Sequence, residues 1–189
     1  MLTLLNKMFG KKDSSKKSHQ LSFQTIQSKR LDELFEKHFN ESPHFKNGTF
    51  NTVIKHLRHE IDLNRSGAKL TAEEKNALGL NTRLSITSEL VAVLSENGLE
   101  LPDPKKALKQ VYYRATFEEN RLESFHKMLS VGIEKATYNS CKDERECEWC
   151  RENDGVEFIV SEALNTEVNK GCTCDWNRGF FKAEINFEK

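Results

Sequence analysis

Apolar positions along this chain recur mainly at helical spacing, and the pattern changes character near residue 136. Leu31, Leu34, Phe35, His38 and Phe39 lie three or four apart and predict a helix over residues 29–40, with Ser28 placed to cap it. Phe50, Val53, Ile54, Leu57 and Ile61 form a second stripe, entered after the turn dipeptide Asn47-Gly48. Thr71-Ala-Glu-Glu74 is a capping-box pattern and predicts a short helix ending near Gly79. A fourth helix is expected over residues 84–96, apolar at Leu90, Val91, Val93 and Leu94 and stopped by Asn97-Gly98.

Asp103-Pro104 places an N-cap before a proline at the first helical position. From there Leu108, Val111, Tyr112, Ala115, Leu122, Phe125, Leu129, Ile133 and Ala136 continue one stripe. Such a helix is roughly 45–50 Å long. The polar run Glu118-Glu119-Asn120 marks a candidate break. Beyond Ala136 the period shortens. Residues 137–140 and 156–160 predict strands, the second following the turn Asp154-Gly155. Phe181, Ala183, Ile185 and Phe187 alternate with polar residues and predict a closing strand with one buried face.

The fold class expected is mainly α with a small C-terminal α+β, cysteine-rich, zinc-ribbon-like module. Three regions follow: a basic flexible tail at 1–27, a helical region at 28–101, and the long helix plus the cysteine module at 102–189. For the tail, solvation is weighed against an interfacial helix of Leu2, Leu4, Leu5, Met8 and Phe9 beside its lysines. No stretch approaches the ~20 apolar residues a membrane span needs. The N-terminus lacks the order of a secretory signal, and a reducing, cytoplasmic compartment is expected.

Composition changes the picture only when read by region. The 189 residues carry 29 basic and 29 acidic side chains, so the net charge is zero. Residues 1–65 hold 12 basic and 7 acidic groups, +5; residues 141–189 hold 7 and 12, −5. The acidic end suits a cation and disfavours nucleic-acid phosphate.

That acidic end holds all five cysteines: Cys141, Cys147, Cys150, Cys172 and Cys174. An odd number fits a disulfide framework poorly. Cys147-x-x-Cys150 and Cys172-x-Cys174 are two chelating pairs that together can complete a tetrahedron around zinc, and four thiolates leave no open position. The expected role is a structural zinc site, with Gly171 permitting the bend before the second pair. Reduced or redox-active thiols without metal are the alternative. Asp143-Glu-Arg-Glu146 is expected to raise the pKa of the neighbouring thiols rather than activate them. Cys141 is the spare, weighed as a replacement ligand against an ordinary thiol. His56 and His59 lack the zincin spacing and read as half-exposed surface residues, while His38 and His126 read as packing residues. The H-x-E and P-C-x-x-C elements of zinc deaminases are missing. No Walker A, GxGxxG or GxSxG sequence occurs, so no catalytic residue is assigned.

Asp143-Glu-Arg-Glu-Cys147-Glu-Trp-Cys150, then Asn153-Asp154-Gly155-Val-Glu-Phe158 and Cys172-Thr-Cys174, resembles the C-terminal module of phage head morphogenesis proteins, the Mu F-like minor head family. The likeness spans residues 104–176, about 40% of the chain. The family's H-P-x ahead of the last pair is Asn169-Lys170-Gly171 here, and its C-R-C arginine is Thr173. The resemblance implies a non-enzymatic minor capsid component acting by contact with portal or capsid proteins, in the host cytoplasm or virion. A rival reading is a bacterial cytoplasmic zinc-ribbon-type binding module that touches nucleic acid through its basic front.

Overall fold

The computed structural model describes residues 28–166 and 168–184. The expectations for the basic tail, and for Ile185 and Phe187 in the last strand, lie outside the described residues. Helix α1 runs over residues 28–41. It is followed by α2 (Phe50–Leu57), α3 (Ala72–Ala77), α4 (Ser88–Val93), α5 (Glu96–Leu99) and the long α6 (Lys106–Ser130). The C-terminal part is β1 (Lys135–Asn139), α7 (Glu148–Glu152), β2 (Glu157–Ile159), α8 (Val160–Asn165) and β3 (Phe180–Ala183). No helix among the described residues is long and apolar enough to cross a membrane.

The helical stripes bury where their spacing requires. Leu34, Phe35 and Phe39 of α1, and Val53, Ile54 and Leu57 of α2, meet Ala107, Leu108, Val111 and Ala115 of α6 in the first core. The box at Thr71 forms as predicted: its side chain accepts from the Glu74 amide, and the Glu74 carboxylate accepts from the Thr71 amide at 2.7 Å. The fourth predicted helix is corrected. It divides in two, because the chain extends at Leu94 to pair with Phe45 and restarts at Ser95, which caps α5. Asn97-Gly98 therefore sits inside α5 and does not end a helix. Gly98 is needed there because a Cβ would fall 2.3 Å from the His44 carbonyl oxygen.

Helix α6 is shorter than predicted. It spans 25 residues, about 37 Å, and stops where Gly132 turns to φ +78°. Ile133 and Ala136, which extend its apolar stripe in the sequence, lie beyond it. The candidate break at Glu118–Asn120 does not occur, because those carboxylates have partners. Arg30 of α1 grips Glu119 with two bonds of 2.5 Å. Lys37 and His38 reach Glu118 at 3.1 and 2.8 Å. A polar stripe in α6 is thus an ion-pair layer against α1. His38 is buried as predicted, but through these polar contacts; His126, expected to pack, is exposed.

This layer makes stability pH-dependent. Burial raises the Glu118 pKa, but the hydrogen bonds from His38 and Lys37 outweigh it and bring it from 4.5 to about 2. A depressed carboxylate stabilises the fold above its unfolded pKa and loses that contribution as pH falls from 4.5 towards 2. Glu118→Gln is expected to cost up to about 3 kcal/mol at pH 7. In urea titrations the deficit should shrink towards zero at pH 2; a deficit independent of pH contradicts it.

The second core is small. Strand β1 is central in the antiparallel order β2-β1-β3, with Ala136 opposite Phe158 and Tyr138 opposite Phe181. Phe125 of α6 packs with Ala136, Tyr138, Val160, Ala163 and Phe181. Helix α6 therefore lends one end to each core. In the closing strand Phe181 is buried and Lys182 exposed, as alternation requires.

Candidate metal centre

Two short turns bring the four thiols of the chelating pairs to one place. The first pair stands on α7: Cys147 is its N-cap residue and Cys150 lies one turn on, so both sulfurs share a face. The second pair lies on the loop between α8 and β3. Asp143 braces the approach to the first turn. Its carboxylate takes a bidentate clasp from Arg178 at 2.5 and 2.6 Å and accepts the Arg145 amide at 3.0 Å. At the other end of the module, Gly155 at φ +81° turns the chain into β2, and Asp154 accepts the Ser140 amide at 2.9 Å.

The sulfurs of Cys147, Cys150, Cys172 and Cys174 all lie within 4.8 Å of one another. Cys147 is 3.7 Å from Cys150 and 3.8 Å from Cys172; Cys150 is 3.6 Å from Cys172 and 3.8 Å from Cys174. A tetrahedral centre with bonds of about 2.3 Å to sulfur has edges of about 3.8 Å. A disulfide needs about 2.05 Å, and all five cysteines are free. The four predicted ligands are thus assembled with separations that fit a metal ion. Cys141 is exposed and stands outside the group. No protein-family model, curated protein or solved structure matches this chain. What the centre can do is read from its own chemistry.

Donors already point at the sulfurs. The Cys147 amide donates to Cys174 Sγ at 3.3 Å, and the Thr173 amide to Cys147 Sγ at 3.4 Å. The Tyr138 hydroxyl, fully buried, lies 3.4 Å from Cys150 Sγ and 3.0 Å from Asn177 Oδ1, and its single proton serves one of them at a time. Such bonds orient ligands and offset their negative charge. The predicted effect of the acidic run on the thiols is corrected at Cys147. Burial pushes this thiol up, but hydrogen bonds from the Cys150 and Thr173 amides and the Cys174 thiol bring it down to about 6. Asp143, the first acid of that run, is itself paired with Arg178 and Arg145. Burial instead raises Cys150, to about 11, and Cys172. The Cys147 sulfur is thus the one most readily ionised, while Cys150 and Cys172 would have to give up protons to hold a metal ion.

Gly171 serves a different purpose from the bend predicted. A Cβ there would fall 2.4 Å from the Trp149 ring, so its bare backbone lets the second turn lie against the first. His56 and His59 are half-buried and exposed, as expected. His56 Nδ1 accepts the Leu63 amide at 3.2 Å. Arg178, Asn177 and Arg121 escaped the sequence reading. They carry no motif spacing, and their relation to the cysteines exists only in three dimensions. Tyr138 lies in a predicted strand, but its reach to Cys150 likewise exists only in three dimensions.

Proposed function

We propose that this chain is a non-enzymatic assembly protein of the phage head-morphogenesis type, whose C-terminal module is pinned by one structural zinc ion on Cys147, Cys150, Cys172 and Cys174. The observation that carries the metal reading is the clustering of four free thiols within 4.8 Å of one another, with four of their sulfur separations at 3.6 to 3.8 Å. Four soft thiolates in a tetrahedral arrangement favour zinc, and a full set of protein ligands leaves no position for substrate. When bound, the ion supplies folding energy rather than chemistry.

The assembly reading rests on the sequence resemblance, and the jobs done by its motif residues support it. Asp143 and Arg145 build the approach to the first turn, and Asp154-Gly155 makes the turn into β2. Each works as architecture, consistent with a module selected for shape. Contact with portal or capsid subunits is the role proposed. Mass spectrometry of purified heads from a producing strain tests it. The chain should be present at a few copies per head, with crosslinks to a portal or capsid subunit. Heads that assemble normally from a deletion strain would overturn the proposal. Elemental analysis of the purified protein should give one zinc per chain.

A further inference from the structure

Arg121 on α6 is about nine-tenths buried, and its guanidinium has one bond among the described residues, from Nη1 to the Asn177 carbonyl at 3.3 Å. A guanidinium carries five N–H donors. No carboxylate of the described residues lies within ion-pair distance of it, because its neighbours are committed elsewhere. Glu118 is held by Lys37 and His38, and Glu119 by Arg30. Burying an uncompensated cation costs several kcal/mol. Something negative should therefore face it.

What Arg121 faces is a cleft of about 250 Å³ between α1, α6 and the cysteine turns, with Cys172, Cys174 and Asn177 in its wall. Asn177 links Arg121 to the cluster. Its Oδ1 accepts from Tyr138 at 3.0 Å and from the Gly179 amide at 2.8 Å, and that tyrosine also reaches Cys150. Asn177 Nδ2 is buried with no partner. Arg121, with one of its donors used, and Asn177 Nδ2, with no partner, thus line the same cleft as Cys172 and Cys174, whose sulfurs become acceptors once ionised.

Charge agrees in sign: among the described residues, the buried cation Arg121 lines the same cleft as Cys172 and Cys174. A divalent ion on four thiolates carries a net charge of −2. Burial pushes the Arg121 pKa down, while Glu118, Tyr138 and the Cys172 and Cys150 thiols oppose that.

We propose that Arg121 is the counter-charge of the tetrathiolate centre, so that metal binding and the docking of the cysteine turns onto α6 are one linked equilibrium. This rests on the structural-metal reading above. Arg121 is a positioning residue that acts on the centre by its field and hydrogen bonds, and it is not a ligand.

The test uses the full chain and its Arg121→Met, Arg121→Gln and Arg121→Lys variants. Zinc affinity is measured by competition with a chromophoric chelator, and Tm with zinc and with excess chelator. Zinc should bind 10- to 100-fold more weakly to the Met and Gln variants, and Lys should restore part of the loss. The sign of the Tm change should differ between states: Met and Gln should lower Tm with zinc present, and leave it unchanged or raise it without zinc. Equal losses in both states with unaltered affinity would mean that Arg121 only packs, and would overturn the proposal. If Met does not fold, Gln and Lys read the same contrast. A parent protein that binds no zinc would overturn the metal reading itself, an outcome seen before any variant is compared.

Discussion

Cys150→Ser should abolish tight metal binding and melt the C-terminal module while leaving most of the helical structure in place. Cys150 is the most deeply buried of the four thiols, at 4% exposure. It touches the sulfurs of the other three, and the Tyr138 hydroxyl rests against it. A serine oxygen is a poorer ligand for a soft site and is too short to span the same centre. Structural zinc contributes apparent free energies of about 10–16 kcal/mol. Losing even part of that exceeds what the second core supplies, since a core this small is worth only a few kcal/mol. Hydrogen exchange should therefore show β1 and β3 unprotected, with α1, α2 and the first half of α6 still slow. Far-UV dichroism should keep most of its helical signal. Cys141→Ser is the matched control, because that thiol is exposed and outside the group. A Cys150→Ser protein that still holds one metal ion per chain would refute the assignment of this ligand.

The sequence made the helical stripes and the pairing of the four cysteines legible because both are local or periodic. Leu34, Phe35 and Phe39 announce a buried face by spacing alone. Two cysteine pairs announce a chelate because each pair shares one turn. Four things were hidden for physical reasons. Glu118 and Glu119 looked like a helix break, since nothing local shows that Arg30 and Lys37, more than 80 positions away, arrive to pair with them. Asn97-Gly98 looked like a stop, because the need for bare backbone beside His44 is a tertiary fact. Helix α8 is six residues long, too short to display a period, and its two buried residues are Val160 and Ala163. The environment of the thiols was hidden for the same reason: the amides that lower Cys147 and the burial that raises Cys172 depend on how the turns meet.

Phe125→Ala should make the folding of the C-terminal module strictly dependent on metal. Phe125 is 2% exposed and meets Phe181 edge-on, with ring centroids 4.8 Å apart. It is the contribution of α6 to the buried set of the second core, so its loss leaves a cavity between the long helix and the sheet. Truncating a buried phenylalanine costs about 3–5 kcal/mol, which matches or exceeds what so small a core provides. The four thiols lie on α7 and the loop before β3, away from Phe125, so one metal ion per chain should remain and hold the module together. On chelation the balance fails. The variant should then lose exchange protection at β1 and β3 at room temperature, under conditions where the chelated parent still keeps some. Leu108→Ala, an equally buried truncation in the first core, should instead lower the protection of α1 and α2 and leave the metal requirement of the sheet unchanged. If Phe125→Ala loosens α1 and α2 as much as the sheet, the two cores unfold as one unit. If its sheet survives chelation, the metal is not what holds the module.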